Sequence, residues 1–156
     1  MPVSDAADTR HTGNGAVLQF EGPKIAIEIG VPTVVAEFLV RSGLPAPPAR
    51  RGFALIDTGA SITAVDEDVV ASLGIQPIGQ MKLSTPSQSR PAWVYAVRLS
   101  CSEVAMPVLE VLDIVGCTLQ PQGFIALLGR NFLRKVVLVY DGPAGFFKLL
   151  ESTPSV

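Results

Sequence analysis

Asp57 closes the apolar run Ala54-Leu55-Ile56 and is followed at once by Thr58, Gly59, Ala60 and Ser61. A carboxylate at the end of a buried run is costly unless something satisfies it or uses it. Gly59 lets the chain turn sharply and lets another group approach its backbone. Thr58 and Ser61 place hydroxyls on either side, able to bond backbone or carboxylate oxygen. Such a loop would present one carboxylate at the mouth of a core. One carboxylate alone is a weak catalyst. Two in contact cannot both ionise easily and so share a proton. One can then donate a proton while the other takes one from water. The competing reading of Asp-Thr-Gly after a strand is an ordinary turn.

Other chemistries find little support. The single histidine, His11, stands in a polar N-terminal stretch, which argues against a Ser-His or Cys-His pair. Cys101 and Cys117 form no Cys-x-x-Cys and sit in apolar contexts, so buried free thiols are the leading reading over a disulfide. Nothing resembles a zinc site, and no metal or cofactor is expected. Asp66, Glu67 and Asp68 have a structural explanation: Asp66 caps the helix "DEDVVASLG" and the two acids after it sit near its positive end. Val65 and Val70 form its hydrophobic staple, and Gly74 ends it.

The chain has 156 residues, which suits one domain, and 48% of them are hydrophobic against 17% charged. That balance belongs to a folded globular chain rather than a disordered one. Net charge is -2 with a pI near 5.3, and no basic stripe suggests nucleic acid. Mean hydropathy is +0.41, yet no apolar run approaches the roughly 18 residues needed to span a bilayer. The apolar excess therefore hints at a subunit interface. The N-terminal stretch lacks the pattern of a signal peptide, so a cytoplasmic location is expected unless a leader was removed.

The elements that must position Asp57 are mostly strands. Short runs rich in Val, Ile and Leu, punctuated by turn residues, include "AVLQF", "KIAIEIG", "VVAEFLV", "GFALID", "WVYAVRL", "VLEVLDIV", "FIALLG", "VVLVY" and "GFFKLL". This spacing predicts a mainly β fold, a barrel or sandwich. Residues 1–14 and 152–156 read as tails around one domain over 15–151, and Ser42 to Gly52 reads as an exposed Pro-rich loop. A second short helix is expected over Arg130 to Lys135.

A second motif lies downstream, where the apolar run Leu127-Leu128 ends at Gly129 and Arg130-Asn131 follow. With this pairing the sequence resembles the retropepsin-like aspartic proteases, the single-lobed relatives of pepsin. The resemblance runs from about Gly22 to Leu150. It implies a closed β-barrel of the acid protease fold, a single lobe with one or two short helices. It also implies roles. Asp57 would be the catalytic acid activating water, and Thr58 would bond across to its counterpart in a second subunit. Gly59 would offer backbone contact to substrate, Ser61 would support the outer carboxylate oxygen, and Gly129 would allow close packing beneath the loop.

Only one Asp-Thr-Gly is present: Asp8-Thr9 is followed by Arg10, and Asp141-Gly142 lacks the hydroxyl residue between. The resemblance then implies a homodimer that acts on a protein or peptide substrate. "GFFKLL" is a candidate interface strand or, equally, the last core strand. Met81 to Leu99 fits the family's hairpin flap, with Ser84, Thr85, Pro86, Ser87 and Gln88 in its tip, although that tip has no glycine. Trp93 and Tyr95 could line a cleft, but core packing is the simpler expectation. Viral relatives pair the arginine matching Arg130 with an acid where this chain has Ser61, so Arg130 must find another partner or face solvent. Two alternatives stay open: a dimerisation or peptide-binding module with little turnover, and a monomeric barrel binding a small ligand.

Overall fold

The computed structural model of the chain describes residues 15–84, 86–101 and 109–151. The expected tails lie outside the described residues, as does Thr85 of the expected flap tip. In chain order the elements are α1 (Gly15–Glu21), β1 (Lys24–Gly30), α2 (Thr33–Arg41), β2 (Arg50–Ile56), β3 (Ala64–Asp66) and α3 (Glu67–Ser72). Then follow β4 (Gly79–Ser84), β5 (Ser89–Cys101), β6 (Leu109–Cys117), β7 (Ala126–Leu128), α4 (Arg130–Leu133), β8 (Val136–Asp141) and β9 (Phe146–Glu151).

The fold is mainly β, as the spacing of apolar runs predicts. Seven strands pair in the order β1-β2-β7-β3-β6-β5-β4, and β1 also pairs with β5, so the ladder returns to its own first strand. In β1 the alternation of "KIAIEIG" sends Ile25, Ile27 and Ile29 into the core. β2 runs antiparallel to β1, with Lys24 opposite Leu55 and Ile29 opposite Arg50. β7 joins β2 in parallel, Ile56 opposite Leu128, which sets the two sequence motifs side by side. β8 and β9 form a separate hairpin. Phe147 and Leu149 of β9 are fully buried, so "GFFKLL" is a core strand within this chain.

Two expected strands are helices, and the described residues hold four α-helices where one or two were expected. "AVLQF" lies in α1, which buries only Leu18 and stops where Gly22, at φ 72°, precedes Pro23. "VVAEFLV" lies in α2. There Pro32 stands at the N-cap, and Gly43, at φ 74°, turns the chain so that the Leu44 N–H donates to the Leu39 carbonyl. Short apolar runs do not separate strand from helix by periodicity, and here the flanking Pro and Gly decide. The Pro-rich loop is shorter than read, because Arg50–Gly52 already belong to β2.

The helix after β3 forms as the sequence reads. The Asp66 carboxylate accepts from the Asp68 N–H at the N-cap of α3, and Val65 and Val70 are both buried in the core. α4 begins directly after its N-cap Gly129 and ends at Leu133, short of the expected Lys135. Packing falls into a main core around Ile25, Ile27, Leu128, Phe132 and Phe147 and a smaller cluster of Ala64, Ala92, Val94 and Val115.

Candidate active site

β2 delivers Asp57 to the end of the sheet, with Ile56 buried behind it and the carboxylate itself partly exposed. The Asp57 N–H donates to the Leu128 carbonyl at 3.0 Å, which ties the loop to β7. Asp57 Oδ1 accepts from the Gly59 N–H at 2.9 Å, and the Asp57 carbonyl accepts from the Ala60 N–H at 3.2 Å. This is the local side-chain turn that aspartate readily makes with a residue two places on. Thr58 and Gly59 are exposed beside it.

The resemblance gave the support of the carboxylate to Ser61. Among the described residues the Ser61 hydroxyl makes no bond to Asp57. The donor to the carboxylate is the Gly59 N–H, within the same tight turn, and it reaches Oδ1. Ser61 contributes its carbonyl instead, accepting from the Asn131 N–H at 3.2 Å.

The loop is docked onto α4 by groups that a helix start leaves unpaired. The Arg130 N–H donates to the Ala60 carbonyl at 2.9 Å, and Arg130 Nη1 donates to the Thr58 carbonyl at 2.8 Å. Arg130 thus has a backbone partner in place of the acid this chain lacks. Gly129 lies against main chain: a Cβ there would meet the Ile62 carbonyl carbon at 2.6 Å and its oxygen at 2.7 Å. No side chain can be fitted without moving the loop.

Two residues given no role from the sequence hold this docking together. Thr63 is fully buried, and its hydroxyl donates to Asn131 Oδ1 at 2.7 Å while accepting from the Gly129 N–H at 3.0 Å. Asn131 Oδ1 also accepts from the N–H groups of Thr63 at 2.8 Å and Phe132 at 2.9 Å. One amide oxygen therefore serves three donors, and the buried Thr63 hydroxyl and Gly129 N–H are both paired. The sequence signal was a hydroxyl residue inside the apolar stretch "SITAV", easily taken for a strand filler.

β4 and β5 form the hairpin expected over Met81 to Leu99, with Ser84 opposite Ser89. Pro86, Ser87 and Gln88 are exposed at its turn. Along its arms, Met81, Leu83, Ala92 and Val94 share the smaller apolar cluster with Ile62 and Leu127, residues that flank the Asp57 loop. Hairpin and carboxylate loop thus border one apolar floor. Tyr95 is buried, as a core residue would be, but Trp93 is 46% exposed because it lies on the hairpin arm beyond the main core.

A family model described as "gag-polyprotein putative aspartyl protease" matches residues 50–135, from the first residue of β2 to the residue before β8. The chain belongs to this aspartyl protease family. Among curated proteins none matches it. The matched span holds both motifs, the β4–β5 hairpin and the Thr63–Asn131 junction, and leaves out α1, β1, α2, β8 and β9.

Asp66, in β3, sits in a different environment from the partly exposed Asp57. It is buried, and burial alone would raise its pKa. The N–H groups of Leu119 (2.8 Å), Gln120 (3.0 Å) and Asp68 (3.0 Å), with the Gln120 side-chain amide (2.9 Å), outweigh that cost and hold it below the ordinary carboxylate value. A carboxylate saturated by donors has no lone pair to offer water. Cys101 and Cys117 are not joined in a disulfide. Burial pushes the Cys117 thiol up to about 11; Arg90 opposes this and the Asp66 and Glu67 carboxylates reinforce it.

Proposed function

We propose that the chain is an aspartic endopeptidase that works as a homodimer, with a water held between the Asp57 carboxylates of two copies. The observation that carries this reading is the placement of Asp57. It stands alone at a sheet end, its loop clamped from behind by β7 and α4 and its carboxylate open toward solvent. A loop so firmly held has little reason to carry a single unpaired acid, whereas a two-fold axis supplies the missing one.

In the dimer the two carboxylates share one proton. The ionised one takes a proton from the water as the water oxygen bonds to the substrate carbonyl carbon. The protonated one gives its proton to the carbonyl oxygen, forming a gem-diol. On collapse the carboxylate left ionised takes a proton from the diol, the carboxyl that took the water proton gives it to the amide nitrogen, and the C–N bond breaks to leave a carboxylic acid, an amine and the pair again sharing one proton. No covalent intermediate with the protein forms. Thr58 braces its counterpart across the axis, Gly59 offers its backbone to the substrate, and the β4–β5 hairpin covers the cleft.

The test is cleavage of a mixed peptide library at mildly acidic pH by wild type and Asp57→Asn. Wild type should yield products, a transition-state analogue of aspartic proteases should block them, and Asp57→Asn should form the dimer without cleaving. Excess Asp57→Asn mixed into wild type should suppress activity by forming mixed dimers. Persistent cleavage by the variant sinks the assignment. Stoichiometric peptide binding without products would favour a binding module instead.

A further inference from the structure

Helix α2 carries an apolar face that none of the described residues covers. None of its nine residues is buried. Val34, Phe38 and Leu44 are 66%, 62% and 54% exposed. On a helix, Val34, Glu37, Phe38 and Arg41 fall on one side, at steps of three and four. Leu44 is pinned just past the helix end by its bond to Leu39. Thr33 is fixed at the other end, its N–H and hydroxyl both donating to Glu110 of β6. The face is thus an ordered element, not a fraying turn.

Its charges are the second observation. Among the described residues neither Glu37 nor Arg41 forms an ion pair. They lie four apart, and the arrangement is self-complementary.

We infer that α2 is a contact between two copies of this chain, packed antiparallel about a two-fold axis. Glu37 of each copy meets Arg41 of the other, so one axis makes two ion pairs. The same register sets Val34 opposite the partner's Leu44 and brings the two Phe38 rings together at the centre. Like any isologous contact, it uses one patch twice.

This axis is not the one that would join two Asp57 loops. β1 starts at Lys24, opposite Leu55 near Asp57, and ends at Gly30, three residues before α2. Seven strand residues span about 20 Å, so α2 sits at the opposite end of the strands from the carboxylate. With both contacts, chains assemble beyond a dimer, as a closed tetramer or a string of dimers according to how the axes meet. The α2 patch is smaller than the roughly 800 Å² per partner of a standard stable interface, so this step depends on concentration. The inference does not rest on the peptidase reading, and its test reads mass rather than cleavage.

Sedimentation velocity of the full chain across a wide concentration range gives that test. Wild type should show a concentration-dependent species that Phe38→Glu and Val34→Asp each remove, with far-UV circular dichroism unchanged. Glu37→Arg and Arg41→Glu should each weaken the association about tenfold, since each removes two exposed pairs and sets like charges together. The double variant Glu37→Arg/Arg41→Glu should restore it. A wild-type mass that Phe38→Glu leaves unaltered at every concentration overturns the contact. A double variant no better than the singles overturns the antiparallel pairing. Binding of wild type to lipid vesicles, lost in Phe38→Glu without a change in mass, would assign the face to a membrane and overturn it as well.

Discussion

Arg130 donates from Nη1 to the Thr58 carbonyl at 2.8 Å while its own N–H donates to the Ala60 carbonyl at 2.9 Å. One residue therefore grips the carboxylate loop on both sides of Gly59. Arg130→Ala keeps the main-chain bond and loses the charged one. We expect kcat for peptide cleavage to fall about tenfold, the effect of roughly 1.4 kcal/mol in a barrier. Thermal stability should change little, because the guanidinium is exposed. Steady-state kinetics beside a melting curve separates the two.

The Thr63–Asn131 junction should matter to stability first. Thr63→Val keeps the shape and removes the hydroxyl, leaving the buried Gly129 N–H unsatisfied, at a cost of about 1–3 kcal/mol. Asn131→Ala strips the acceptor from three donors and should cost more. Urea unfolding of both singles and the double variant should give a double cost below the sum, as for residues of one network. Additive losses would mean that the two side chains act separately.

Gly129→Ala is a test of close approach. Its Cβ would press on the Ile62 main chain, which cannot rotate away as a side chain could. Overpacking of this kind costs about 1–3 kcal/mol, and the displaced loop should lose cleavage activity altogether. A variant with wild-type melting temperature and activity would contradict the geometry.

Asp66 links stability to pH. Its folded pKa lies below its unfolded value, so the folded chain binds protons less readily than the unfolded one in that range. Its contribution is fully present above the unfolded value of about 3.9 and is lost as pH falls through the lower folded value. Asp66→Asn should destabilise the protein at neutral pH by about 2 kcal/mol, and the gap to wild type should close on acidification below pH 4. Denaturation midpoints across that range give the answer. An unchanged gap would mean that the four donors do not favour the ionised form.

Cys117 should be a slow thiol. With its pKa pushed up to about 11, the thiolate fraction at pH 8 is about a thousandth. Alkylation by iodoacetamide in the native state should lag far behind that of an unfolded control. Equal rates would show that the site is open.

Much of the site could be read from residue order. Asp57 after an apolar run, with Gly129 after another, identifies two strand ends, and β2 and β7 place them side by side. The Asp66 cap was equally legible, because helix starts depend on neighbours within a turn. The strand "KIAIEIG" carries its own alternation.

What the sequence could not supply depends on distance along the chain. Arg130 meets Thr58 across 72 positions, and Asn131 meets Thr63 across 68. Their types permit many partners, and only the docking of α4 onto the loop selects these. Ser61 and Gly59 are equally able to serve Asp57, and the turn's backbone path selects Gly59. The helices α1 and α2 look like strands because a short apolar run fits either period, and whether a neighbouring strand is free to pair with it is a property of the whole sheet. The sequence by itself thus determined the family motif at Asp57 and the strands that carry it, since both rest on local pattern. The tertiary structure alone decided which groups brace that carboxylate and which apolar face is left outside the core, since both depend on what folding brings together.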